Sequence, residues 1–174
     1  MKKNSNTVGT FLLSEKYIFV LVSFIVFSIP FFFSKSQILT GSIVNTALFL
    51  SVIFLPKKYF LPIIVLPSLA VLSRGLIFGP FTPFLVYFLP IIWLGNFILI
   101  KTFQYFFKVK YFTGILTAAL LKWLVLYLFA SLFFSLHLIP KIFLQTMGIY
   151  QFITAIVGGV ISLFIYRKIN NGKL

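Results

Sequence analysis

Cysteine and aspartate are both absent from the 174 residues, histidine occurs once, and Glu15 is the only carboxylate side chain. Without cysteine there are no disulfides, thiolate metal sites, iron–sulfur ligands or cysteine nucleophiles. A lone acid cannot form the pair that general acid–base chemistry uses, and there is no Asp for a Ser/His/Asp set. One histidine, His137, excludes an HExxH zinc site, and no glycine-rich loop carries a Walker lysine. The expectation is a protein that is not an enzyme and holds neither cofactor nor metal. A proton-coupled carrier also needs a carboxylate within the membrane, so uphill transport would have to draw its energy from a partner.

Charge of either sign is scarce as well, at 9% of residues against 61% hydrophobic. Soluble domains carry roughly 25% charged and about 45–50% apolar residues. With a mean hydropathy of +1.13, the chain reads as an integral membrane protein whose 25 phenylalanines supply lipid-facing bulk. The net charge of +14 would suggest nucleic acid in a soluble protein. Here the basic residues stand in small groups between apolar runs, at Lys2-Lys3, Lys57-Lys58, Lys108/Lys110 and Arg167-Lys168. That is the pattern of membrane flanks, with no nucleic-acid partner.

Six apolar runs, at about 17–33, 38–55, 59–77, 84–107, 111–138 and 142–166, are near or above the roughly 20 residues that cross a bilayer. They predict one all-α domain over 1–174, a compact bundle of six transmembrane helices. Residues 1–14 form a polar tail, and the apolar run starts only near Tyr17, so the first run is read as a helix and not as a signal peptide. Pro30 lies near the outer end of the first helix. Pro62 and Pro67 interrupt the third and Pro90 kinks the fourth, and the last helix begins as an interfacial turn before Gly148. Ten cations, Lys16 and the four groups above among them, fall on the side of the termini, against Lys35 and Lys141 opposite. The positive-inside rule then places both ends in the cytoplasm of a plasma-membrane protein. No internal repeat is apparent, which argues against transporters built from duplicated halves.

The organising stretch is Leu66 to Ile100, two apolar runs folded about Gly79-Pro80-Phe81-Thr82-Pro83. Proline ends helix by lacking a donor, and glycine permits the reversal. Lys122 lies midway along the fifth run, where a charge costs at least roughly 2.5–3.5 kcal/mol by insertion scales. It either snorkels along its stem or faces the interior with Gly114 and Ala118, small residues at i−8 and i−4 that favour helix contact over lipid. Arg74, one turn inside the outer end of the third run, is either an interfacial arginine or a guanidinium roofing an outward cavity. No acid lies near either cation, so the expected partner is external: a substrate, a lipid headgroup or another subunit's carboxylate.

Neutral candidates are Trp93, Asn96, Gln151 and Thr154, each open to a plain helix–helix hydrogen bond or a ligand contact. Ser42, Asn45 and Thr46 form a small polar stripe suited to helix packing, and Gly158-Gly159 marks close packing. His137 reads as interfacial.

The layout, with Gln-x-x-Thr-Ala-x-x-Gly-Gly from Gln151 to Gly159, resembles the S components of energy-coupling factor transporters. The run GPFTPFLVYFLPIIWLGN from Gly79 to Asn96 is also similar to small S-component-like proteins labelled "iron hydrogenase", a label that a cysteine-free chain cannot satisfy. The resemblance covers about 59–166. It implies a substrate-binding membrane subunit for a small micronutrient-like solute, without ATPase activity of its own, working with a transmembrane coupling subunit and cytoplasmic ATPases. It implies an outward pocket drawing on Trp93, Asn96, Lys122 and Gln151, with Arg74 near its mouth; the two cations would favour a carboxylate- or phosphate-bearing solute. S components often present Ala-x-x-x-Ala on the first helix, where this chain has only Ser23 and Ser28. The alternative is a non-transporting scaffold subunit of an envelope or cell-shape complex, with polar helix faces that bind partner helices around a solid centre.

Overall fold

A computed structural model describes residues 5–33, 36–75, 82–107 and 109–169, with side chains from residue 15 onward and those of 82 and 83 excepted. All regular structure among these residues is helical. The long helices are α1 (Ser5–Phe32), α2 (Gln37–Phe54), α3 (Phe60–Arg74), α4 (Thr82–Phe106), α5 (Tyr111–Ser135) and α7 (Ile149–Ile169). A 3₁₀ turn, Lys57–Tyr59, precedes α3, and the short α6 (Ile142–Thr146) precedes α7.

Five segments are long and apolar enough to cross a membrane: Glu15–Phe32, Gln37–Phe54, Phe84–Phe106, Tyr111–Ser135 and Ile142–Ile169. The chain is therefore a multi-pass membrane protein. Helix α3 has 15 residues, about 22 Å at 1.5 Å per residue, short of the roughly 30 Å hydrocarbon core.

Several boundaries differ from the sequence reading. Helix α1 starts at Ser5 and takes in most of the expected polar tail, since Ser, Asn and Thr there cost a helix little and no proline intervenes until Pro30. Pro67 lies inside α3 and does not interrupt it, and Pro62 sits in the first turn, where a missing amide costs nothing. The described part of α3 ends at Arg74, where Gly75 takes the left-handed φ of 67° and its N–H returns to the Val71 carbonyl. Helix α5 stops at Ser135, and His137, at φ 57°, turns the chain. The tip of the central hairpin, Gly79-Pro80-Phe81, the link residue Lys35, and Lys2, Lys3, Lys108 and Lys173 lie outside the described residues.

Consecutive long helices run up and down, so the bundle has two ends. At the end bearing the termini, Phe19 stacks on Tyr59, and Phe107, Tyr111 and Tyr166 form one ring cluster. At the far end, Arg74 lies over the Phe31 ring and Phe143 of α6 meets Phe84 and Phe88. Around the axis the helices close a ring in the order α1, α3, α4, α5, α7, α2, with α2 also touching α3 and α4.

Two apolar clusters fill this ring. The one toward the termini includes Phe49, Ile63, Leu99, Phe103 and Ile115; the far one includes Val71, Leu85, Phe88, Leu126 and Phe143. Small residues set the closest crossing, α2 on α7. A Cβ added at Gly158 would stand 2.7 Å from the Thr46 backbone nitrogen and 2.8 Å from the Ser42 carbonyl oxygen, so only glycine fits there. The outward faces keep Leu116, Leu120, Leu124 and Leu128 of α5 exposed, as lipid contact requires.

Candidate functional site

The polar residues that the apolar spans could not hide converge between the two clusters. Lys122 is 3% exposed, on the buried face of α5 with Gly114 and Ala118. Its stem passes beside Gly95 of α4, where an added Cβ would sit 3.5 Å from Lys122 Cγ. The tighter neighbour of that Cβ would be Leu126, at 3.3 Å, so α4 and α5 pack closely where the lysine crosses toward Asn96.

Lys122 Nζ donates to Asn45 Oδ1 at 2.7 Å and to Asn96 Oδ1 at 2.8 Å. Asn96 Nδ2 donates to the Ile64 carbonyl at 3.1 Å. That acceptor is a backbone oxygen, which fixes the amide so that its own oxygen faces the lysine. Asn45 Nδ2 donates to Thr154 Oγ1 at 3.1 Å, and that hydroxyl donates to the Gln151 carbonyl at 3.2 Å. One lysine therefore ties α5 to α2 and α4 directly, and to α7 and α3 through the amides. Asn45, Asn96 and Thr154 are each at most 2% exposed.

The expectation that Lys122 finds only an external partner is corrected here. Two internal amide oxygens solvate its ammonium, as water would, although neither carries a charge to neutralise it. An ammonium has three donors, and two are engaged. The net sits at the floor of a cavity of about 100 Å³ on the axis of the ring. Every long helix contributes to its wall: Pro30 of α1, Thr40 of α2, Ser68 of α3, Ile92 of α4, Lys122 of α5 and Gln151 of α7. From the asparagines the cavity runs toward the far end, past Val71 and Leu85.

The walls are polar in a patterned way. Thr40 Oγ1 donates to the Phe33 carbonyl at 2.8 Å and Ser68 Oγ to the Val65 carbonyl at 2.9 Å, so each hydroxyl offers only lone pairs elsewhere. Gln37, also on the lining, donates through Nε2 to the Thr146 carbonyl at 2.7 Å, latching α2 to the end of α6. No partner is recorded among the described residues for the Gln151 side-chain amide.

Of the five residues expected at a pocket, Asn96, Lys122 and Gln151 come together on its lining. Trp93 lies behind the wall, its Nε1 donating to Ser68 Oγ at 2.7 Å. Arg74 is exposed at the end of α3, 5.5 Å from the centre of the Phe31 ring, and does not line the cavity. Asn45, Gln37, Thr40 and Ser68 were missed as site members. The signal for Asn45 was present: Asn45 and Asn96 are the only asparagines inside apolar spans, and a mid-span lysine without an acid needs such oxygens. No cluster of metal-binding side chains occurs among the described residues.

No protein-family profile, curated protein or solved structure matches the chain.

Proposed function

We propose that this chain is the substrate-binding membrane subunit of an ATP-driven uptake system for a small micronutrient-like solute, without enzymatic or ATPase activity of its own. In this reading it crosses the plasma membrane six times with both termini cytoplasmic. The sixth crossing is α3 together with the turn Lys57–Tyr59. Lys16, Lys57, Lys58, Arg167 and Lys168 then lie on the cytoplasmic side, and the far end, toward which the cavity runs, faces outward. A separate transmembrane subunit and cytoplasmic ATPases would supply the energy.

The observation that carries this reading is the axial cavity, walled by all six long helices and floored by a lysine with one donor to spare. A bundle with no task at its centre has no reason to hold a cation there at the cost insertion imposes. Denaturing mass spectrometry of protein purified in mild detergent tests it. A co-purifying small molecule, reduced in Gln151→Leu, is the expected outcome; an empty bundle that captures none from growth medium would refute it.

Two observations favour the scaffold alternative. The net closes on internal partners, and the cavity is below the roughly 300–1,000 Å³ of pockets for drug-sized ligands. An empty bundle that brings down a helical membrane partner would favour it. Because the chain has no cysteine, single cysteines at Lys16 and Lys141 and a membrane-impermeant thiol reagent test the orientation directly.

A further inference from the structure

Granted that the cavity holds a solute, its lining narrows the chemistry of that solute. Among the described residues Lys122 is the only cation on the lining, and none of them there is an acid. Its two engaged donors go to neutral oxygens, so in the protonated form the positive charge stays unneutralised and one N–H remains. A buried ammonium in that condition favours one charge-assisted bond from an anionic oxygen. The Gln151 amide on α7 also lines this space and can donate to a second oxygen. Arg74 stands elsewhere, so none of the described wall residues would offset a second negative charge on the solute.

Above the floor the wall is mixed: Val44, Pro67, Val71, Leu85 and Ile92 give apolar surface, while the Thr40 and Ser68 hydroxyls, their protons already donated, offer only lone pairs. The cavity, at about 100 Å³, is smaller than the roughly 300–1,000 Å³ of pockets for drug-sized ligands, which favours a small occupant. We infer that the site takes a small monocarboxylate, its carboxylate on Lys122 Nζ at the floor and a short apolar body pointing to the far end. A phosphate dianion matches neither the single charge nor a wall of apolar surface and lone pairs.

The inference rests on the proposed solute site, and the test separates the two. The full-length protein in detergent is titrated with butyrate, succinate, n-butylamine and inorganic phosphate, and with phosphatidylglycerol micelles, following thermal unfolding and binding heat. Butyrate is expected to raise the unfolding midpoint saturably, the other probes not. Lys122→Met is expected to weaken butyrate roughly tenfold or more, the loss of one charge-assisted bond. Should that variant fail to fold, Ile92→Trp, which fills the cavity and leaves the net intact, is expected to abolish the response. A response to phosphate or phosphatidylglycerol without one to butyrate overturns the inference in favour of a phosphate ligand. No response to any acid overturns it too. A neutral co-purifying molecule that butyrate does not displace defeats the monocarboxylate and leaves the uptake reading standing. Saturable butyrate binding by a protein with no ATPase-dependent uptake does the reverse.

Discussion

The two halves of the bundle are built from the same apolar alphabet and packed to different ends. Toward the termini, Phe49 meets Phe103 edge-on with centroids 4.7 Å apart, and Phe103 meets Tyr111 at 5.0 Å. Gly158 brings α7 onto the α2 backbone, and the Tyr111 and Ser162 hydroxyls pair at 3.0 Å. The far half has comparable rings, Phe88 stacked on Phe143 at 5.3 Å, set to one side of the axis with the cavity beside them. Lipid is as apolar as leucine, so close packing and interhelical hydrogen bonds hold membrane helices together. The half that packs to the axis is the anchor; the half that leaves the axis open is free to hold something.

Substitutions that break this contrast should grade accordingly, read as unfolding in detergent. Gly158→Leu has the largest expected effect: the side chain would enter the α2 backbone, and a bundle losing that crossing should fail to yield folded protein, beyond the 1–3 kcal/mol typical of overpacking. Lys122→Leu should cost about 3 kcal/mol, since it strands two buried amide oxygens at roughly 1–3 kcal/mol each. Ile115→Ala, in the packed half, should cost about 2–5 kcal/mol and Ile92→Ala, beside existing space, about 1 kcal/mol. Equal losses for this pair would refute the asymmetry. Tyr111→Phe should cost about 1 kcal/mol, the size of one interhelical hydrogen bond. Gln37→Ala is the smallest, below about 1 kcal/mol, with a specific signature: a cysteine placed at Thr40 should react faster with thiol reagents once the α2–α6 latch is gone.

Much of the fold was legible because hydropathy alone marks apolar helices, and the six apolar runs match the six long helices in order, five of the runs holding a segment long and apolar enough to cross a membrane. The α1 start escaped because a polar segment with no breaker extends a helix that tertiary or lipid contact has already nucleated. The site was legible where a residue violated its surroundings. Lys122 stood out as a mid-span cation, and the spacing of Gly114 and Ala118 gave its direction. Its partners were misread because charge was matched only against charge. The missing acids drew attention outward, whereas a carboxamide oxygen accepts from an ammonium as readily as water does. Trp93 and Arg74 illustrate the converse: each is conspicuous in sequence, yet one serves the wall from behind through Ser68 and the other rests on Phe31.

The Lys122 net also bears on how the chain enters the membrane. Translation delivers α2 and α4, with Asn45 and Asn96, before α5 leaves the ribosome. Alone, α5 would lodge its lysine in hydrocarbon against a penalty of at least roughly 2.5–3.5 kcal/mol; beside its elders it meets oxygens already in waiting. Thr154 arrives last, on α7, and orients the Asn45 amide that α5 has by then engaged. The order of synthesis thus matches the order in which the hydrogen bonds become possible, so moving the lysine to an earlier helix would leave it stranded during insertion even if the finished bundle were identical.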